Sequence, residues 1–284
     1  MVYLLLNTLA LDPHRWTPEK VGYYRLDALL EPIAEAGFHG VELWQYHLCR
    51  ESKAEVQQLR TKAEALGVRF PVVGMYPQLH LDGTSRRKAW DEVKKVIDYA
   101  ALLGAEIVKI FVGSRATDDL TEAEYERSLA FLADLIALAG SRGLTITGET
   151  HAHTLFDSLD ACRAVLDTVG AGSFKVCFQP YDLTDTAQAL AQYDALRAHV
   201  VHVHYQGRRG DALTLLQDAD LDYDALTRTL AACGFDGYLC IELVKECIVE
   251  TPALFDLKRV LHRAQQDRDF VLRVAGRCGM AVAS

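Results

Sequence analysis

Eight short apolar runs, largely β-branched, recur along the chain at 3–7, 39–43, 69–74, 106–111, 144–149, 174–179, 200–205 and 238–243. Between them apolar residues return at helical spacing. Leu26, Leu29, Leu30 and Ile33 form one stripe, Leu129, Leu132 and Ile136 a second, and Leu254, Leu257 and Leu261 a third. Thr121 with Glu124 three residues later makes a capping box. Thr251-Pro252 is expected to open the last long helix, and Pro32 to disturb the helix it interrupts. Strands alternating with helices pair in parallel through right-handed crossovers. An open doubly wound sheet is the alternative, but no GxGxxG, and no GxxxxGK ending in Ser or Thr, follows any strand. Eight units in 284 residues fit closure, a barrel of this kind being typically about 250 residues long. GFHGVEL at 37–43 is echoed by GFDGYLCIEL at 234–243, each placing glycine, turn, strand and glutamate in the same order. The pattern predicts a single-domain (β/α)8 TIM barrel over residues 1–284.

Strand side chains alternate between faces, so the apolar positions assign the inner face. Leu239, Ile241 and Leu243 turn toward the helices and leave Cys240 and Glu242 inside. Val201 and Val203 do the same for His202 and His204, Leu144 and Ile146 for Thr145, Thr147 and Glu149, and Val176 and Phe178 for Cys177 and Gln179. Glu149, Gln179, His204 and Glu242 thus all point inward at the C-terminal ends of their strands, where barrel strands meet around one mouth. Glu42 and Lys109 also fall inside. A buried charge is costly unless matched. Lys109 therefore either neutralises Glu42 or Glu149, or holds a substrate oxygen or tunes a catalytic carboxylate.

Bulk composition narrows the class. Half the residues are hydrophobic and 24% charged, as in a globular protein with a sizeable core. The net charge of −9 argues against unaided nucleic-acid binding. Seven cysteines show no CxxC pair, and those in apolar patterns read as reduced thiols. The early LLL run follows no basic segment, and no apolar run nears the ~20 residues of a membrane span. A cytoplasmic enzyme without nucleic-acid or membrane partners is expected, with homo-oligomerisation left open.

GFHGVELW at strand two, GETHAH at strand five, HVHYQG at strand seven and LCIEL at strand eight resemble, in order and spacing, the xylose isomerase-like TIM-barrel superfamily, which includes sugar phosphate isomerases and epimerases, inosose dehydratases and the endonuclease IV group. The resemblance covers nearly the whole chain. In its ketose epimerases a divalent metal, often Mn²⁺, is held by Glu, Asp, His and Glu from strands five to eight. That implies Glu149, Gln179, His204 and Glu242 as ligands, with Glu149 and Glu242 also the acid/base pair. The chain departs from the pattern twice: Gln179 stands where Asp is usual, and Asp182 where a His is frequent. Two carboxylates and one imidazole still suit Mn²⁺ or Mg²⁺, with Co²⁺ or Zn²⁺ as alternatives. A neutral amide in place of a carboxylate should weaken binding.

The implied reaction is isomerisation or epimerisation of a small keto sugar or polyol-derived ketone through an enediolate, since both need proton removal beside a polarised carbonyl. The same groups could expel a β-hydroxyl, as in a dehydratase of the inosose type. Expected substrate contacts are Glu42, Trp44, Lys109, His151, Asp182 and Arg208. Trp44 could stack on a sugar, and His151 completes an E-x-H pattern. His153 reads as a loop residue, His202 as a core histidine, and Arg209 as solvated. A DNA-repair endonuclease would need a richer His/Asp set than Lys109 and Gln179 leave. A silent sugar-binding barrel is the reading that Gln179 favours and that Glu149, His204 and Glu242 oppose.

Overall fold

The computed structural model describes residues 1–18, 20–170, 172–181 and 185–283. Strands β1 (Val2–Asn7), β2 (Gly40–Trp44), β3 (Arg69–Met75), β4 (Ile107–Phe111), β5 (Thr145–Glu149), β6 (Phe174–Phe178), β7 (Val200–Gln206) and β8 (Tyr238–Leu243) pair in parallel in that order. The barrel closes where β8 lies against β1, Tyr3 opposite Tyr238 through Leu6 opposite Ile241. Helices α1 (Leu26–Glu35), α2 (Lys53–Ala65), α3 (Gly83–Leu103), α4 (Glu122–Gly140), α5 (Leu159–Val169), α6 (Thr186–Leu196), α7 (Tyr223–Ala232) and α8 (Leu257–Arg277) follow the strands one by one. The alternation therefore gives the fold it predicts, and no strand end is off by more than one residue.

Local chemistry sets the helix ends. Thr121 accepts from the Glu124 amide while the Glu124 carboxylate accepts from the Thr121 amide, the expected capping box at α4. Ser52 with Glu55 and Asp185 with Gln188 do the same at α2 and α6. Pro32 disturbs less than expected: α1 runs through it and stops at Glu35, so the missing amide costs one hydrogen bond near a helix end that was close anyway. Thr251 does not cap the long helix. Pro252–Leu254 form a single 3-10 turn, Phe255 and Asp256 are extended, and the Asp256 carboxylate caps α8 by accepting from the Arg259 amide. Leu254 is exposed and lies outside the apolar stripe.

The core has two parts. Leu4, Leu6, Val41, Val108, Ile146, Val176, Val203 and Ile241 pack between barrel and helices, while Leu5, Val72, Ile107, Tyr238 and Cys240 fill the barrel's floor. Val201, expected to face the helices, packs on the floor cluster instead. Val200 opposes Val176 but His202 opposes Cys177, so Val201 is the extra residue of a bulge, and alternation fails locally. His202 and His204 still point inward. Above the apolar floor the barrel interior becomes charged, and every expected ligand lies in that upper layer.

Candidate active site

Four strand ends deliver the centre. Glu149 ends β5, Gln179 follows β6, His204 lies within β7 and Glu242 near the end of β8. The His204 Nδ1 atom is 3.4 Å from Glu149 Oε1 and 3.6 Å from Glu242 Oε2. These three donor atoms all lie within 4.8 Å of one another. That spacing fits one divalent cation, whose ligand bonds are about 2.0–2.6 Å long.

The surrounding groups fit the same role. His204 Nε2 lies 2.9 Å from Glu42 Oε2. With Nε2–H donating to that carboxylate, the Nδ1 lone pair faces Glu149 and Glu242, as in a carboxylate-oriented metal-binding histidine. The Gln179 amide completes the ring in either of two orientations. With its oxygen inward it sits 3.0 Å from His204 Nδ1 and faces only acceptors, an arrangement that a cation makes favourable. Turned over, its nitrogen donates to Glu242 Oε2 (2.8 Å), His204 Nδ1 (3.0 Å) and Glu149 Oε1 (3.2 Å). The backbone of Gln179 is fixed by Thr150, whose hydroxyl accepts from the Gln179 amide at 2.8 Å and donates to its carbonyl at 2.6 Å.

Lys109 lies under this ring and is fully buried. Its ammonium is 2.5 Å from Glu149 Oε2 and 3.4 Å from Glu42 Oε1. The rings of Tyr76 and Phe111 cover it at 4.9 and 5.1 Å. Gly74 provides the room: a Cβ there would stand 3.2 Å from Glu42 Oε1 and 3.5 Å from Lys109 Cε. Burial alone would raise the Glu149 carboxyl, but Lys109 and then His204 override it and bring its pKa down to about 2. Burial likewise opposes the charged form of Lys109, yet Glu149, Glu42 and their neighbours hold its pKa well above the usual lysine value. Lys109 therefore pairs with both glutamates, the geometry expected whether it neutralises them or tunes Glu149.

A cavity of about 390 Å³ opens over the centre. Gln179, Glu242, Trp44, His151 and Arg208 line it, together with Arg15, Lys20, Tyr46, Tyr76 and Gln206. Glu42 and Lys109 do not; they are wholly buried below, and their influence passes through His204 and Glu149. Trp44 stands edge-on to Tyr46, and His151 stacks on Phe111 at 4.3 Å. Asp182 lies outside the described residues. His153 is in a loop, with φ of 60°. His202 is a buried neighbour of Glu42 at 3.2 Å. Arg209 is exposed in the short hairpin after β7, bonded to the Asp218 carbonyl.

Sequence reasoning missed two contributors. Gln206 shares the inner face with His204 two residues earlier, so alternation could have found it. Its amide donates to Glu242 Oε2 at 3.0 Å, and Arg208 Nε donates to Gln206 Oε1 at 2.5 Å. Arg15 and its neighbours come from the loop after β1, where no periodic signal exists.

The family model described as xylose isomerase-like TIM barrel matches residues 30–265. The chain belongs to this family. A 3-dehydroshikimate dehydratase from Bacillus anthracis is 19% identical over 236 residues, covering 81% of this chain and 84% of that protein. The D-psicose 3-epimerase of Clostridium cellulolyticum H10, solved with D-tagatose, superposes with a TM-score of 0.74 at 15% identity, covering 96% of this chain and 99% of that one. A xylose isomerase-like TIM-barrel protein from Mycobacterium smegmatis, solved with magnesium, gives 0.70 at 16% identity over 97% of both chains. At these identities the likeness concerns the fold; of the three, one is a dehydratase and one an epimerase. Among the described residues no helix is long and apolar enough to cross a membrane.

Proposed function

We propose that the chain is an enzyme that moves a proton beside the carbonyl of a small polyhydroxylated ketone, an isomerase or epimerase. One observation carries this reading: Glu149, His204 and Glu242 converge on one point directly under a cavity into which Glu242 opens. Glu149, His204, Glu242 and the Gln179 amide oxygen would hold a divalent ion, Mn²⁺ first among those that oxygen-rich sites favour. Such an ion supplies Lewis-acid polarisation of a carbonyl and offsets negative charge as it develops on oxygen. Glu242 is the base best placed to take the proton, since it lines the cavity and is steadied by Gln206. Glu149 is the second carboxylate of the exchange. It has no exposed surface, whereas Glu242 borders the cavity, so the two carboxylates do not reach a substrate equally.

That burial also favours a second reading, elimination of water from a β-hydroxy ketone. Elimination needs one carboxylate base and a proton donor for the departing hydroxyl, and His151 lines the same cavity as Glu242. The dehydratase among the relatives supports this alternative. Proton NMR in D₂O with Mn²⁺ and a panel of ketoses and β-hydroxy ketones separates the two. Isomerisation or epimerisation exchanges the α-proton for deuterium and gives a new sugar, whereas elimination gives a conjugated product absorbing in the ultraviolet. Glu242→Gln should abolish either reaction. Exchange that persists in this variant would remove the basis of the proposal.

A further inference from the structure

Arg15 is 4% exposed, yet half of its guanidinium has no partner. Its Nη1 donates to the carbonyls of Leu9 and Asp12. Its Nε and Nη2, the two atoms of the side-on edge, bond to nothing. The nearby acid is spent elsewhere: Asp12 Oδ1 accepts from the His14 amide, and Oδ2 from the amides of Tyr23 and Tyr24. A buried guanidinium left half unsatisfied is costly, and proteins retain such an edge where an oxyanion will meet it. Its two parallel N–H groups match the two oxygens of a carboxylate or phosphate.

The surroundings reinforce this. Arg15 lines the same cavity as Glu242. Lys20 and Arg208 are the other cations on its wall, and among the described lining residues Glu242 is the single acid. The wall is therefore locally positive in a chain whose net charge is −9. Arg208 Nε is engaged by Gln206, whereas Nε and Nη2 of Arg15 are buried and without a partner. Trp16, more than half exposed beside the Arg15 guanidinium, borders the same cavity.

We propose that the substrate is an anion, a small polyhydroxylated ketone bearing a carboxylate or a phosphate that docks on the Nε and Nη2 edge of Arg15. This rests on the proposed function for the identity of the site, but not on turnover. Titration calorimetry of the full chain with D-gluconate, D-fructose 6-phosphate and uncharged D-fructose tests it. One or both anions should bind the wild type more tightly than D-fructose does, gluconate leading if the partner is a carboxylate and the phosphate ester if it is not. Arg15→Met should weaken that anion about tenfold to a hundredfold, as expected for a charge-assisted pair, and leave D-fructose unchanged. If Arg15→Met fails to fold, the anion-induced rise in melting temperature of the wild type against D-fructose supplies the same comparison. Equal affinity for all three probes, or an anion affinity unchanged in Arg15→Met, overturns the proposal. Wild type that binds an anion preferentially but exchanges no α-proton fails the proposed chemistry alone, whereas wild type that exchanges but binds all three probes equally fails this inference alone.

Discussion

Removing the ammonium of Lys109 should expose how the centre is held together. Lys109→Met keeps the length of the stem but leaves Glu149 without the cation 2.5 Å away and Glu42 without the one at 3.4 Å. Glu42 retains His204 at 2.9 Å and His202 at 3.2 Å, so most of the loss falls on Glu149, whose remaining imidazole contact is 3.4 Å. Breaking a buried pair by removing one partner costs about 3–5 kcal/mol. In a domain of this size each kcal/mol moves the melting point by about 2 °C, so a fall of about 6–10 °C is expected. Glu149→Gln in the same chain removes the stranded charge, and the double variant should regain most of that fall. Thermal unfolding followed by circular dichroism in EDTA measures all four proteins, and the cycle isolates the pair. A Lys109→Met variant melting within about 1 °C of the wild type would refute the reasoning. So would a double variant less stable than either single one.

Gln179→Asp should convert an amide that can satisfy the site by itself into a charged ligand. At an effective dielectric of 20 a unit charge pair at 4 Å is worth about 4 kcal/mol, so even after geometric losses Mn²⁺ affinity should rise at least about tenfold by calorimetry. An unchanged affinity would mean that the amide does not face the ion. Asp267 on α8 accepts from the Leu216 amide through Oδ1 while Oδ2 has no partner, and burial pushes its pKa from 3.8 up to about 7. A raised carboxyl is protonated in the folded chain and ionised in the unfolded one between those values. Its presence therefore costs stability progressively as pH rises from about 4 to about 7, by up to about 4 kcal/mol above that window. Asp267→Asn should stabilise the protein at pH 8 but hardly at pH 4, and an equal gain at both would contradict the assignment.

How much of this could be read from the chain depends on whether a signal is periodic. Strand alternation located the barrel and turned Glu149, Gln179, His204 and Glu242 to its inside, because a two-residue period on a face packed against helices leaves little freedom. It misplaced Val201, where one inserted residue breaks that period. It could place Glu42 inside but not show that its carboxylate orients His204, a partner 162 positions away. Arg15 escaped for a different reason. Its importance lies in what it lacks, and an unfilled hydrogen-bonding edge has no trace in the order of residues. Thr251-Pro252 was a local signal that was present but outcompeted, since Asp256 offers a cap after the extended Phe255.

The short strand Val282–Ala283 lies beside Val2 and Tyr3 at the start of β1. The first and last segments of the described chain are therefore neighbours, at the end of the barrel opposite Glu242. A surface tether or a fused reporter attached at either end would hang away from the cavity. Joining the two ends through a brief peptide loop, and opening the ring at a helix–strand connection on the same side, would reorder the sequence without touching the mouth.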